Sequence, residues 1–242
     1  LFAVYGLLLG ALAKCSGSRY RKAVKVFSFT YSSKSGFFRE ISEREYVIKA
    51  KRQACQQCDK PLSTCYCHLI EKKANAWPVC LIQHLNESSH AKGTARIAQL
   101  SLKNLRTIQL GDREPFTPPE NDSDFWCNPV LIYPNSENRD IAELVGTSPR
   151  PLVVLDGTWR KSKAMLLSSP YLQSLPKYSF ETERPSRYRI RKASSPNFLS
   201  TLESIVAILE TLEGTGNDYA QMLEVMDWMV TTQLGFINST KP

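Results

Sequence analysis

The sequence predicts an α/β fold: a mostly parallel sheet with helices on both faces, preceded by a small cysteine-rich element. Three observations predict it. Short, continuously apolar runs (Val79–His84, Pro129–Tyr133, Leu152–Leu155) alternate with segments of helical periodicity. Strands without a polar face belong to parallel sheets covered on both sides. Four of the seven cysteines crowd between Cys55 and Cys67, and 242 residues, 42% hydrophobic and 22% charged, are enough for one sizeable core.

Each element follows from local pattern. Cys55–Cys67 reads as a turn-rich element containing Pro61. Val79–His84 is a strand after Pro78, and Thr94–Leu105 a helix with Ile97, Leu100, Leu102 and Leu105 at helical spacing. Thr107–Leu110 is a short strand ending at Gly111, and the proline-rich, acidic stretch Glu114–Asn128 is a loop. Pro129–Tyr133 is a strand stopped by Pro134, with Ser136 capping a helix through Leu144. Leu152–Leu155 is the third apolar strand, Thr158 opens a helix to Ser168 that ends before Pro170, and Tyr178–Phe180 is a further strand. Asn197–Leu212 is a periodic helix closed by Gly214, and Asn217–Leu234 is a second. Ligands of such sheets sit at the carboxyl ends of the strands. The functional loops are therefore expected after His84, Tyr133 and Leu155.

Charge is unevenly placed. Residues 1–54 hold 11 Lys/Arg against 3 Asp/Glu, which accounts for the whole formal charge of +8. That weakens the usual inference from a basic protein to nucleic acid. Within the body, Thr158–Lys192 carries nine basic residues and two acidic ones, whereas Ala193–Thr240 has no Lys or Arg. The asymmetry makes either one positive face or ordinary solvated charge. Leu1–Ala13 is apolar but too short to span a bilayer. With no acid before Glu40, the amino-terminal stretch reads as a signal-peptide core, an organellar transit peptide or a mis-assigned start. Residues 1–45 are left outside the expected fold.

Two motifs carry chemistry. Cys55-x-x-Cys58-x6-Cys65-x-Cys67 offers four thiolates, a donor set for a closed, structural tetrahedral zinc site. The alternative is four reduced, unliganded cysteines. The odd cysteine total argues against a secreted disulfide framework. The second motif is Leu152-Val-Val-Leu-Asp156-Gly157-Thr158-Trp159. A buried strand ends in an acid, glycine permits a tight turn, and threonine caps the next helix, whose free N–H groups suit a carboxylate ligand. A plain strand–turn–helix with a capping acid is the simpler account. His84 and His90 read as structural.

Asp156-Gly157-Thr158-Trp159 resembles the signature of the DTW-domain family, and the cysteine pattern is similar to that family's zinc element. The resemblance continues through Thr94-Ala95-Arg96, Tyr133-Pro134, Lys163, Met165, Ser169-Pro170-Tyr171-Leu172 and Leu175-Pro176. It extends to Ser186-Arg187-Tyr188-Arg189-Ile190-Arg191 and Ser200-Thr201-Leu202-Glu203, running in order from about Cys55 to Leu234. Many relatives have two basic residues before the methionine where this chain has Lys163-Ala164. The resemblance divides the chain into a basic extension (1–45), a four-cysteine zinc element (46–75) and a DTW catalytic domain (76–242), with a SPOUT-like fold and a knotted cofactor loop.

What the resemblance implies is an S-adenosylmethionine-dependent transfer of the aminocarboxypropyl group to N3 of a tRNA uridine, releasing methylthioadenosine. Asp156 is the candidate base and Trp159 a stacking residue, each with a structural alternative (a cofactor-binding cap, a core anchor). Tyr133, Pro134, Leu155, Gly157, Thr158, Ser186, Tyr188, Arg189, Thr201 and Glu203 are expected around the cofactor, Glu203 equally as part of a capping box with Ser200. Arg160, Lys161, Lys163, Arg187 and Arg191 are expected to meet tRNA phosphates. The partner is tRNA, no membrane is expected for the folded domain, and a monomer is favoured without the oligomeric state being fixed. The expected location is cytoplasmic, or an organelle if residues 1–45 are a transit peptide. Competing readings are a SPOUT-type RNA methyltransferase and a zinc-dependent RNA-binding module without catalysis.

Overall fold

Secondary structure and contacts come from a computed structural model, which describes residues 21–31, 38–49, 53–88, 93–111, 113–134, 139–182, 185–190, 198–214, 216 and 218–239. The chain divides into two units, 1–53 and 54–242. In the first, Arg21–Tyr31 (β1) and Phe38–Lys49 (β2) pair as an antiparallel hairpin, Arg21 opposite Lys49 and Tyr31 opposite Phe38. The sequence assigned no structure up to residue 45. Both segments are rich in residues of high β propensity, Val24, Val26, Phe27 and Phe29 in β1 and Tyr46, Val47 and Ile48 in β2, with Val24 opposite Tyr46 in the register.

The second unit holds a six-stranded sheet built from Val79–His84 (β3), Leu105–Leu110 (β4), Val130–Ile132 (β5), Arg139–Asp140 (β6), Leu152–Asp156 (β7) and Lys177–Ser179 (β8). The strand order is β4-β3-β7-β5-β8-β6 and every pairing is parallel. All six residues of β3 are buried, as expected of a strand between two neighbours and under two covered faces.

Alternation along the strands divides the core in two. Val79, Leu81, Leu152, Val154, Val130 and Ile132 point to one face, and Cys80, Ile82, Val153 and Leu131 to the other. The first face carries Ala95–Ser101 (α2), Thr201–Glu213 (α5) and Ala220–Ser239 (α6). From α5 alone Leu202, Ile205, Val206, Ile208, Leu209 and Leu212 are buried, each contributing roughly 1.5–3 kcal/mol relative to exposure. Trp159–Ser168 (α3) and Pro170–Ser174 (α4) cover the second face through Met165, Leu166 and Leu172, with Phe116, Phe125 and Trp126 from the proline-rich loop. No helix among the described residues is long and apolar enough to cross a membrane.

The departures from the sequence reading have local causes. The helix expected from Thr94 to Leu105 stops at Ser101. Leu102 is extended and bridges Lys73, Asn104 O accepts from Val79 N, and Leu105 already belongs to the β4 edge strand, so sheet pairing overrides the periodicity. The helix expected from Ser136 to Leu144 is replaced by β6 and a 3-10 turn over Ile141–Leu144. Ile141 and Leu144 are the buried pair, and Asp140, not Ser136, is the cap, accepting from Ala142 N at 2.9 Å. Ser136 lies outside the described residues, as do His90, Arg191, and the expected helix starts Asn197 and Asn217. The helix expected from Thr158 to Ser168 is α3 and ends before Pro170 as read, but the sequence reading assigned no helix directly after it. The structure instead starts α4 there, since proline suits a first helical position and Ser169 caps it by accepting from Leu172 N at 3.2 Å. A four-residue helix, Leu85–Ser88 (α1), follows β3.

Candidate functional site

The carboxyl edge of the sheet gathers the chemistry. In the β3–β7 ladder Gln83 stands opposite Asp156, so the next-to-last residue of β3 and the last residue of β7 project at one level. Gln83 is 6% exposed, and its Nε2 donates to Asp156 Oδ2 at 2.7 Å. Thr201, the first residue of α5, donates its hydroxyl to the other oxygen, Oδ1, at 2.5 Å. Both carboxylate oxygens are thus fixed by neutral donors from separate elements.

Gly157 follows because little else fits. A Cβ there would lie 3.1 Å from Lys161 Cβ, an atom the helix backbone holds in place. Thr158 then caps α3, its hydroxyl accepting from Lys161 N at 3.4 Å, with its own backbone extended. The first turn of α3, which carries the positive end of the helix dipole, therefore begins three residues after Asp156. Trp159 is 47% exposed and packs at a tilt against Phe198, ring centroids 5.3 Å apart. Trp159 is a surface ring at the site, and the core-anchor alternative does not hold.

The neighbouring loop is organised by one carboxylate. Glu203, 6% exposed, accepts from Ser200 N at 2.7 Å, from Arg187 N at 2.7 Å and from Ser186 Oγ at 2.9 Å. Ser200 completes a capping box at the start of α5. Ser186 Oγ also accepts from Tyr188 N at 3.2 Å, and Tyr188 packs into the core, while Arg189 is exposed. Ser186, Tyr188 and Glu203 are therefore linked to one another, and the same bonds tie them to α5, whose first residue holds Asp156. On the other flank Leu155 and Tyr133 pack partly buried on the second core face, Tyr133 N donates to Tyr178 O at 3.0 Å, and Pro134 follows. Burial pushes the Tyr133 hydroxyl above its ordinary pKa.

The basic residues divide. Arg160 and Lys163 are exposed on α3. Lys161 pairs with Glu87 at 2.7 Å, both side chains mostly buried, which ties α3 to α1. Arg187 pairs with Asp227 of α6. Gln83, Glu87 and Phe198 are site residues the sequence reading missed. The one available signal was Gln83 itself, a polar residue at the end of the apolar run Val79–Ile82.

The four cysteines converge. Their sulfurs lie within 4.8 Å of one another, with Cys55–Cys67 at 3.7 Å and Cys58–Cys65 at 3.8 Å. Four sulfurs bonded at about 2.3 Å to one tetrahedral ion stand about 3.8 Å apart. The Cys55–Cys67 and Cys58–Cys65 pairs already stand at that spacing, so the donor set fits a closed metal site after small side-chain adjustment. The Cys55–Cys58 turn is held by Asp59 N donating to Cys55 O at 2.9 Å, with Asp59 at a φ of 58°. Backbone N–H groups of Cys58 and Gln57 lower the Cys55 thiol to about 6, while burial raises Cys58 and Cys67. The element is anchored to the helices: Arg96 of α2 donates to Gln57 O at 2.8 Å, and His68 meets Trp228 of α6 edge-on at 5.4 Å.

Comparison with known proteins agrees with this geometry. tRNA-uridine aminocarboxypropyltransferase 2 of Drosophila melanogaster is 28% identical over 171 residues, covering 67% of this chain and 68% of that protein. The Macaca fascicularis protein of the same name is 24% identical over 182 residues, 71% of this chain and 59% of that one. tRNA-uridine aminocarboxypropyltransferase A of Arabidopsis thaliana is 23% identical over 242 residues, 83% of this chain and 88% of that one. No solved structure matches. The family model for the DTW domain matches residues 52–234, from the cysteine element through most of α6, and the chain belongs to the DTW-domain family.

Proposed function

We propose that this protein transfers the 3-amino-3-carboxypropyl group of S-adenosylmethionine to N3 of a uridine in tRNA, with methylthioadenosine as the second product. The observation that carries the reading is the Asp156 carboxylate. It is gripped at both oxygens by Gln83 and Thr201, lies at the carboxyl edge of a parallel sheet, and belongs to the signature of a family whose curated relatives bear that enzyme name.

When bound, S-adenosylmethionine supplies a carbon activated by the sulfonium and a neutral thioether leaving group. The chain's own residues do the rest. Asp156 accepts the uridine N3 proton as the N3–carbon bond forms and the carbon–sulfur bond breaks. The first turn of α3, with Arg189, holds the amino-acid carboxylate. Positioning decides which sulfonium carbon reacts, since aiming the nucleophile at the methyl would make a methyltransferase. Tyr133, Pro134, Leu155, Gly157, Thr158, Ser186, Tyr188, Thr201 and Glu203 are the residues that would hold the cofactor. Arg160 and Lys163 meet tRNA phosphates. Zinc on Cys55, Cys58, Cys65 and Cys67 is structural, with no open position for chemistry.

The test is product analysis. Purified protein incubated with S-adenosylmethionine and unfractionated tRNA should release methylthioadenosine and yield a uridine heavier by the aminocarboxypropyl group. Release of S-adenosylhomocysteine would make it a methyltransferase. RNA binding without cofactor affinity in a calorimetric titration would make it a binding module.

A further inference from the structure

Trp159 and Phe198 reach the site from separate segments. Trp159 opens α3 directly after the Asp156 turn. Phe198 lies three residues ahead of Thr201, the residue that binds Asp156. Their centroids are 5.3 Å apart with the planes inclined at 53°, and both rings stay exposed, at 47% and 41%. Trp77 and Trp126, by contrast, are buried at 3% and 8%. Single exposed apolar residues need no explanation, but two aromatic rings in contact beside a fixed carboxylate form a patch with a direction.

We propose that Phe198 and Trp159 together form a stacking platform for an unpaired base of the RNA, at or next to the uridine presented to Asp156. The inference rests on the function proposed above and adds Phe198 as a substrate-contacting residue. Three observations favour an RNA base over the cofactor's adenine. Small-molecule sites enclose most of their ligand's surface, and these rings are open. Lys163 lies one helical turn beyond Trp159 on α3 and is exposed, with Arg160 beside it, so cations for a phosphate backbone flank the rings. The inclined planes leave a base lying flat on one ring in edge contact with the other.

The test measures binding and product together. Titration with unfractionated tRNA should quench tryptophan emission, and Trp159→Phe should remove most of that quenching. Phe198→Ala should weaken tRNA binding about 5- to 150-fold, the span of one base stacked on one aromatic ring, while S-adenosylmethionine affinity stays unchanged. Phe198→Tyr should restore binding. Phe198→Leu separates stacking from packing: it keeps the apolar cover over Trp159 but has no π face, so it should behave like alanine. A leucine variant that binds tRNA as the unaltered protein does, or an alanine variant that loses cofactor rather than tRNA affinity, overturns the platform. Should the unaltered protein release no methylthioadenosine while Phe198-dependent quenching persists, the proposed reaction fails and the platform stands.

Discussion

Gln83, next to last in β3, stands opposite Asp156, the last residue of β7, and the Gln83 amide nitrogen donates to Asp156 Oδ2 at 2.7 Å. Gln83→Leu removes the Gln83 donor from a half-buried carboxylate. A hydrogen bond to a charged group is worth about 1.5–3 kcal/mol, so unfolding free energy should fall by about that much, and turnover should fall with it as the carboxylate loses its fixed orientation. Gln83→Glu places a second carboxyl against the first, and two such groups share a proton. Its rate–pH profile should lose activity on the acid side at higher pH than the unaltered enzyme. Profiles of kcat that superimpose would remove Gln83 from any role in setting the carboxylate.

Asp156→Asn keeps the shape of the side chain and removes the base. Turnover should fall by about two to four powers of ten while S-adenosylmethionine affinity, measured calorimetrically, survives. Raising pH should recover part of the rate, because uridine then loses its N3 proton unaided. Loss of affinity instead, with the rate restored by excess cofactor, would recast Asp156 as a cofactor ligand.

Glu203 accepts from two backbone N–H groups and one hydroxyl while almost wholly buried. Glu203→Ala orphans those donors and should cost about 2–4 kcal/mol of unfolding free energy, read from urea titration. Glu203→Gln offers one acceptor oxygen where two are used, so it should also be destabilised. An alanine variant within 0.5 kcal/mol of the unaltered protein (about the scatter of a neutral surface change) would mean that the loop at 186–190 is held by something else.

The cysteine cluster should carry one tightly held zinc per chain. Any single Cys→Ser among the four should lower that stoichiometry and the melting temperature together, and a strong chelator should do the same to the unaltered protein. Because the ligands bind as thiolates, zinc uptake releases protons, so the metal-dependent part of stability should shrink as pH falls. Elemental analysis that finds no metal in fully reduced protein would count against the site.

Arg160 and Lys163 are exposed, whereas Lys161 is engaged with Glu87. Reversing the charge at Arg160 or Lys163 should reduce the salt dependence of tRNA binding by about one unit of slope each. Lys161→Glu should act first on stability, since it faces Glu87 in a mostly buried contact. Equal loss of slope from all three would mean that the Lys161–Glu87 pair opens on RNA.

The sequence by itself determined the class of fold, the strands Val79–His84 and Leu152–Leu155, the cysteine cluster and the place of Asp156. Each depends on neighbours in sequence: an apolar run, a spacing of thiols, a strand–turn–cap succession. The family resemblance added Ser186, Tyr188, Thr201 and Glu203, and of their contacts the sequence showed only the Ser200–Glu203 capping box. Only the tertiary structure decided that Gln83 and Thr201 grip Asp156, 73 and 45 residues away in sequence. It alone paired Lys161 with Glu87 and Arg187 with Asp227, and set Phe198 against Trp159. It also cut the helix after Thr94 short, because Leu105 was needed in an edge strand. Periodicity reports which face of a segment is apolar. It does not report which segments meet, and side chains at the ends of parallel strands meet through strand order, which no local pattern encodes.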